Sequence, residues 1–509
     1  MKGIIDASKD KRFNKGNSTS YIRYNGTKHD GNRRPYATPN PLPYFWISNF
    51  IEDHWKTINR HLGKSDYSVS KPIQSSETDD RAIIVPSLSE LAEKISTKIR
   101  YAPFIVKTDI AQFFPSIYTH SIPWAAHGVN ASKADRRRDS KSIKFNHLDW
   151  FCQQCQNSQT RGVLIGPDAF RIIAEFVASD IDAQLQEKAG SYIIGAVRHV
   201  DDYYIGVHSE TDAIFVLSHL RDILQNYELQ INDNKTKIIS GLDPIDDLWA
   251  QHLRTLPIRP PFDKDSVIRA LDEAYETSKR ISSESPMKLI LRRLDQGKCY
   301  QGSIWNSIEH KLQRIIHHFP HCIDYVSLLV AKRFAIGEDL DKGSWGEAIH
   351  VILKKHITFN HHHEISWLLW LLFVCHMDIP EKLVSTVEKI QNSHIRALLI
   401  AAYADGLCFH RPKVPLQQKI PTTKDDWLHN LVARSLRYSN ASFGGALKDE
   451  FEYLASKNIR LLDFGKHMDL VSKRHVVAIS RSKYGYDADD EDDFEDISYI
   501  FHDSPDIEF

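Results

Sequence analysis

The sequence predicts an α+β chain whose first half mixes strands with helices and whose second half is all-α and repeat-like. Three observations carry this. Apolar runs that end in carboxylates alternate with stretches of helical periodicity up to about residue 245. Beyond about residue 260 glycine becomes sparse and helix follows helix. The 509 residues, 42% hydrophobic and 26% charged, suffice for about three domains with a large core, which excludes a disordered or fibrous chain.

Residues 1–35 are polar and basic and read as an irregular arm. Arg34-Pro35-Tyr36 and Pro39-Asn40-Pro41-Leu42-Pro43 cannot be helix interior, because proline lacks the amide donor. Phe45, Ile47, Phe50, Ile51, Trp55 and Ile58 recur at helical spacing, so a helix is expected from Tyr44 to Leu62. Residues 63–80 read as a polar loop. Ala82 to Val85 is a short strand stopped by Pro86, and Ser87 or Ser89 caps a helix through about Arg100.

Phe104 to Asp109 is an apolar strand that ends in a carboxylate. Residues 128–147 form a polar, basic insertion. Gly162 to Pro167 is a glycine-bearing loop ahead of a long helix from about Asp168 to Lys188. Tyr192 to Val207 is a hairpin turning at Asp201-Asp202, Ile214 to Asn226 is helical, and Leu229 to Ile239 is strand, turn, strand. In the second half, Glu364 to Trp370 and Ile395 to Leu407 stand out as apolar helices. No strict repeat period is visible.

The net charge of −1 hides an asymmetry. Residues 487–509 hold eleven acids and no Lys or Arg, which leaves 65 basic against 55 acidic side chains in residues 1–486, a net +10. A basic body points to a polyanionic partner. The acidic tail is either a solvated end or a competitor for the basic groove, anchored by Phe494, Tyr499, Phe501 and Phe509. Six cysteines are too few for a disulfide scaffold, so reduced thiols and a cytoplasmic protein are expected. The first twenty residues lack the apolar run of a secretory signal. The longest apolar stretch, Ile365 to Cys375, has eleven residues where a membrane span needs about twenty, so no membrane partner is expected.

Two adjacent acids at a tight turn between apolar strands are costly unless a cation pairs with them. Asp109 ends another apolar strand 92 residues before Asp201. If those strands are neighbours, three carboxylates converge, an oxygen-only donor set suited to a hard divalent ion such as Mg²⁺. Two such ions, about 3.5–4 Å apart, clamp the attacking and leaving oxygens of a phosphoryl displacement.

The order of segments resembles that of reverse transcriptases over about residues 30–245. Asp109-Ile110-Ala111-Gln112-Phe113-Phe114 is similar to their first motif, an Asp followed five residues later by an aromatic. Gly162-Val163-Leu164-Ile165-Gly166-Pro167 is similar to the glycine loop of the second, and Val200-Asp201-Asp202 to the Asp-Asp hairpin of the third. Leu229 to Lys237 is similar to the fourth, a Leu/Asn/Lys-Thr stretch. More narrowly, Phe114-Pro115-Ser116-Ile117-Tyr118-Thr119-His120, the Arg-Pro-Tyr…Asn-Pro start and the Glu-Ile-Ser-Trp helix resemble bacterial defence-associated reverse transcriptases of the abortive-infection type.

The resemblance implies a right-hand polymerase core of fingers and palm over residues 36–250, after a basic arm (1–35). It implies a helical domain in place of an ordinary thumb (251–486), with the acidic tail (487–509) beyond. It implies deoxynucleotidyl transfer with two Mg²⁺, for which Mn²⁺ substitutes, in antiphage defence. The template is a companion RNA, or synthesis is template-independent and primed on a protein hydroxyl. Partners would be deoxynucleoside triphosphates, a companion non-coding RNA or the DNA product, and a second polymerase or further copies of the chain. The alternatives are an RNA-templated enzyme of a mobile element, or a nucleic-acid-binding scaffold with a vestigial site.

Residue by residue, the resemblance makes Asp109, Asp201 and Asp202 metal ligands, with the Ile110 carbonyl beside them. Phe114 would be the steric gate against a ribose 2′-hydroxyl, with Phe113 facing the core. Arg81 would hold the triphosphate and Lys235 would approach the leaving pyrophosphate, although both also read as surface cations. Gly162 and Gly166 would let backbone approach the nascent base pair, with Ile165 between them where the family has Gln. His199 replaces the usual aromatic near the primer end, or is a packed histidine of the turn. Arg136, Arg137 and Arg138 in the basic insertion would track a phosphate backbone, or form a solvated loop.

Three further signals are discounted. Cys152 and Cys155 form a lone CxxC, short of the four ligands that zinc takes. His361-His362-His363 reads as a helix start. Trp367 and Trp370, one turn apart, read as core.

Overall fold

The computed structural model describes residues 17–74, 83–84, 89–243, 248–416, 419–457, 460–469 and 471. They fall into two compact units. One comprises residues 17–21 and 37–243, the other residues 22–36 and 248–471. The chain thus begins the second unit before it builds the first. Of the residues read as an irregular arm, the described ones, 17–35, carry β1 (Ile22–Thr27) and the start of β2 (Arg33–Thr38), which pair, and residues 22–36 belong with the helices.

In the first unit, α1 (Pro41–Asp53) and α2 (Trp55–Leu62) replace the single expected helix. Asn40 accepts a hydrogen bond from the Leu42 N–H and starts α1, and the break falls at His54. Within the stretch read as loop, β3 (Ile73–Gln74) pairs antiparallel with β4 (Ile83–Ile84). Next come α3 (Ser89–Ile99), β5 (Phe104–Asp109), α4 (Phe113–Ser116), α5 (Ser121–His127), α6 (Val129–Ala134) and α7 (Phe145–Gln154). The basic insertion therefore carries a short helix and is irregular only over 135–144. Then follow α8 (Asp168–Ala189), β6 (Ile193–His199), β7 (Asp202–Val207), α9 (Glu210–Asn226) and β8 (Lys237–Ser240).

β6, β7, β5 and β8, in that order, form one antiparallel sheet. Of the expected strand, turn, strand over 229–239, the second half is β8, and the first is reduced to a bridge from Ile231 to Ile110. α8 and α9 pack together, and the apolar side chains of α8, α9 and the buried strands share one core. α3 closes on β6 and β7 through Leu91, Ile95 and Ile99. That approach requires glycine at 195, where a Cβ would lie 2.1 Å from the Lys98 carbonyl oxygen.

The second unit holds α10 (Leu248–Thr255), α11 (Lys264–Ile281), α12 (Ser285–Gln296), α13 (Ile304–His318), α14 (Ile323–Ala335), α15 (Lys342–Thr358) and α16 (His362–Val374). It continues with α17 (Glu381–Val387), α18 (Ser393–Ala404), α19 (Trp427–Ser435) and α20 (Lys448–Ser456). Alternate helices pack in two series, α10-α12-α14-α16-α18 and α11-α13-α15, with neighbours α11-α12, α13-α14 and α15-α16 also in contact. This is the layering of stacked helix pairs, in which each pair buries its apolar face on the next. Trp305, Trp345, Trp367 and Trp370 are fully buried among them.

The unit is not all-α. β9 (Lys419–Pro421) and β10 (Ser442–Gly444) pair in parallel, and β1 packs on α16. Arg33 explains that last contact. Its guanidinium grips the buried Glu364 of α16 through Nη1–Oε1 at 2.6 Å and Nη2–Oε2 at 2.9 Å. The six cysteines are buried and joined by no disulfide, and among the described residues no helix is long and apolar enough to cross a membrane.

Candidate active site

The sheet register brings the sequence-distant acids together. Asp109, last residue of β5, is paired with Asp202, first residue of β7. The Ile110 N–H donates to the Asp201 carbonyl at 3.1 Å. On the other side of β5, the Asn232 N–H donates to the Asp109 carbonyl at 2.9 Å and the Ala111 N–H to the Gln230 carbonyl at 2.8 Å. Thr108 and Thr236 hydroxyls meet at 2.7 Å. The stretch from Gln230 to Thr236 is therefore laced along β5, which carries Lys235 to the carboxylates.

Lys235 Nζ donates to Asp109 Oδ2 at 2.9 Å, and Asn232 Nδ2 approaches the same oxygen at 3.4 Å. Burial works against the lysine charge, but the Asp109 hydrogen bond and attraction, with Asp202 and Asp201 behind them, hold the ammonium above the usual lysine range. Asp109 is 6% exposed, and its Oδ1 is buried with no hydrogen-bond partner. Burial first, then the neighbouring Asp201, pushes the Asp202 carboxyl up to about 8; Lys235 opposes this and Asp109 adds to it.

These observations bear on a cation. The donors are oxygen only, one buried carboxylate oxygen is unpartnered, and the negative charge exceeds what Lys235 offsets. A hard divalent ion such as Mg²⁺ fits that chemistry. The tightest trio of potential ligand atoms among the described residues lies elsewhere, at His356, His361 and Glu364, gathered within 4.8 Å. There the Arg33 guanidinium already neutralises Glu364, and the two imidazoles share a hydrogen bond at 2.9 Å, so that trio has no cation left to attract.

The glycine loop runs against α4. The Gly162 N–H donates to the Ile117 carbonyl at 2.8 Å and the Val163 N–H to the Phe114 carbonyl at 2.9 Å. Gly162 and Gly166 take φ of 87° and 124°, and a Cβ on Gly162 would sit 3.1 Å from the Pro115 carbonyl oxygen. Both glycines are thus required locally by backbone geometry. The Ile165 carbonyl accepts from the Ala37 N–H at 2.9 Å, and its side chain is half-buried. Phe113 is buried and Phe114 half-buried, so the second ring is the one presented beside the loop.

His199 departs from the primer-side expectation. It is 1% exposed, neither ring nitrogen has a hydrogen-bond partner, and burial lowers its pKa to about 3. As a neutral packed imidazole beneath the hairpin it offers no surface to a primer. In the basic insertion, Arg137 is tied to Asp135 by two hydrogen bonds of 3.0 and 2.9 Å. Arg138 lies over the Trp150 ring at 4.9 Å, and Lys133 over Trp124 at 5.3 Å. Arg136 is exposed, its Nε bonded to the Lys133 carbonyl. Arg81 and the acidic tail lie outside the described residues. Cys152 and Cys155 are fully buried, and burial pushes both thiols well above the usual range, which suits packing rather than ligation.

Sequence reasoning missed what lies under the Asp-Asp turn. Arg198 is fully buried between two acids of α8: its Nε donates to Asp182 at 2.8 Å and its Nη2 to Glu175 at 2.7 Å. Ser65 and Tyr203 hydroxyls also donate to Asp182, and the Ser68 hydroxyl donates to Glu175. Burial pulls the Glu175 carboxyl upward, but Arg198 outweighs it and holds it below the usual range; at Asp182 burial prevails over Arg198 and raises it. The available signal was spacing. Glu175 and Asp182 are seven residues apart, two helical turns, and so lie on one face of the helix, among apolar neighbours such as Ile172, Phe176 and Ile181.

No protein-family model matches the chain, and no curated protein matches it. Among solved structures it is similar to apo telomerase from Candida tropicalis, at 12% identity and a TM-score of 0.34, covering 71% of this chain and 66% of that one. It is also similar to telomerase from Candida albicans in complex with a TWJ fragment of telomeric RNA, at 14% identity and a TM-score of 0.30, covering 72% and 69%. For the corresponding complex from Candida tropicalis the values are 13%, 0.29, 74% and 64%. The chain spans about two thirds of the length of these telomerase chains.

Proposed function

We infer that the chain is a DNA polymerase of the reverse-transcriptase kind, with a right-hand core of fingers and palm, adding deoxynucleotides by phosphoryl transfer. The observation that carries this reading is the register of β5 against β7, which sets Asp109 opposite Asp202 and bonds Ile110 to Asp201. Acids 92 residues apart in sequence meet at one end of the two central strands, in the motif order that resembles that family.

Asp109, Asp201 and Asp202, with the Ile110 carbonyl, would hold two Mg²⁺ ions, or Mn²⁺ in their place. Bound there, such ions lower the pKa of an attacking 3′-hydroxyl and offset charge on the leaving pyrophosphate. Lys235 keeps one Asp109 oxygen engaged and brings a positive charge to the same strand end. Phe114, whose backbone carbonyl accepts from the Val163 N–H of the glycine loop, would be the steric gate against a ribose 2′-hydroxyl. Arg136 and Arg138, with Lys133 and the two tryptophans beneath them, suit a phosphate backbone, where cations supply affinity without sequence. The biological setting we propose, from motif resemblance alone, is bacterial antiphage defence, with a companion RNA or the DNA product as the nucleic acid.

The test is nucleotide incorporation with Mg²⁺ by nuclease-treated protein, each dNTP alone and together, with and without an RNA–primer duplex. Asp201→Ala is the control. Incorporation that this variant loses supports the reading. Incorporation that survives the substitution, or nucleic-acid binding with no incorporation under any condition, overturns it in favour of a binding scaffold.

A further inference from the structure

The turn that delivers Asp201 is strained, and both backbone groups of its first residue are held from outside. Val200 sits at φ 55°, in the left-handed region that a β-branched residue avoids. A two-residue hairpin connection needs such a φ, and Gly or Asn would supply it at less cost. Here the geometry is imposed instead. The Val200 N–H donates to Ser70 Oγ at 2.8 Å, and the Val200 carbonyl accepts from Arg198 Nη1 at 2.7 Å.

Both holding groups converge on one carboxylate. Glu175 Oε2 accepts from Arg198 Nη1 at 3.1 Å and from Ser70 Oγ at 3.3 Å. Its Oε1 accepts from Arg198 Nη2 at 2.7 Å and from Ser68 Oγ at 2.6 Å. Ser70, Glu175 and Arg198 are 1%, 4% and 0% exposed, so water does not compete for these bonds. None of the three belongs to the carboxylate cluster itself.

We propose that Ser70, Arg198 and Glu175 are positioning residues that hold Val200 in its left-handed conformation and thereby aim Asp201 and Asp202 at Asp109. A non-glycine residue persists in such a conformation only where its surroundings over-determine it, and these three residues are the surroundings. Release of the N–H would let Val200 relax toward negative φ. The Asp201 peptide that takes the Ile110 N–H would tilt with it. The turnover part of this inference rests on the polymerase reading, whereas the part concerning metal affinity does not.

The experiment uses the full chain as wild type, Ser70→Ala, Val200→Gly and the double variant. Mn²⁺ is the probe, its free concentration followed by electron paramagnetic resonance, and nucleotide incorporation is measured alongside. Ser70→Ala should weaken Mn²⁺ binding and lower kcat by about tenfold each, the scale of one lost hydrogen bond to a buried backbone group, with KM for dNTP unchanged. Adding Val200→Gly should recover most of both losses, because glycine takes positive φ without help. A purely structural serine would lower the melting temperature, leave Mn²⁺ affinity at the wild-type value and gain nothing from the glycine; either result overturns the proposal. Wild-type protein that binds Mn²⁺ but incorporates nothing sinks the polymerase reading, and the affinity series still decides the positioning role. Absence of Mn²⁺ binding by the wild type overturns the proposal together with the carboxylate site.

Discussion

Asp109 and Asp202 face each other as a register pair across two antiparallel strands, and Lys235 Nζ lies 2.9 Å from Asp109 Oδ2. Like charges placed directly opposite repel unless a cation stands between them or beside them. Replacing either acid with Asn keeps the shape and removes the charge. Asp109→Asn and Asp202→Asn should each lower incorporation by about a thousandfold, as expected for removing several kcal/mol of charge stabilisation. Circular dichroism should be unchanged, and steady-state incorporation measures the loss.

Phe114 is half-buried beside the glycine loop, whereas Phe113 points into the core. Phe114→Ala should therefore leave folding intact and reduce the preference for deoxy- over ribonucleotides by at least about tenfold, the scale set by steric exclusion of a small group. Phe113→Ala should do the opposite, costing about 3–5 kcal/mol of stability as a buried aromatic truncation. Ratios of kcat/KM for the paired nucleotides and urea unfolding separate the two effects.

How much of this was legible in the residues depends on how local each signal is. The strand Phe104–Asp109 and the helix from Asp168 follow from period and from their end residues, and the structure has them at those positions. The Asp-Asp turn was legible because two adjacent acids between apolar strands repel each other and call for a cation. The ion network beneath it was not. Its three members lie on two elements far apart in sequence, and only the sheet packing on α8 brings Arg198 to Glu175 and Asp182. His199 could be read from its place in the motif as a primer contact or as a packed histidine of the turn, and its burial agrees with the second.

Arg198 offers a stability test of that network. Its removal leaves two buried carboxylates without their cation, so Arg198→Met should destabilise the first unit by about 3–5 kcal/mol in urea unfolding. The triple change Arg198→Met, Glu175→Gln, Asp182→Asn should regain much of that loss, because it removes the charges together. Equal losses in the single and triple variants would show that packing, and not charge, is what Arg198 contributes.

The helical unit should be acid-sensitive from an unusually high pH. Burial lowers the pKa of His356 to about 4 and of His363 to about 3, so both stay neutral when folded and take protons near 6.5 when unfolded. The unfolded state then binds more protons, and stability falls as pH drops from about 6.5 toward 4 and 3, each histidine contributing on the order of 3 kcal/mol. Glu364 acts lower. Burial raises its pKa, but the Arg33 hydrogen bond and charge, with the other partners of the carboxylate, together outweigh this and bring it to about 2, so its share is lost only between about 4.5 and 2. Hydrogen exchange of α15 and α16 amides at pH 7 and pH 5 should show the histidine-driven loss, and His356→Leu should flatten it.

The pairing of Arg33 with Glu364 has a consequence for synthesis on the ribosome. Residues 22–36 leave the exit tunnel about 300 residues or more before their partners His321, Glu364 and Asn392. At translation rates of about 5–20 residues per second, the hairpin waits roughly 20–70 s for the last of these to emerge. Throughout that interval the hairpin waits while residues 37–243 of the carboxylate-bearing unit are made. The helical unit therefore closes only by taking back a hairpin translated hundreds of residues before its later helices.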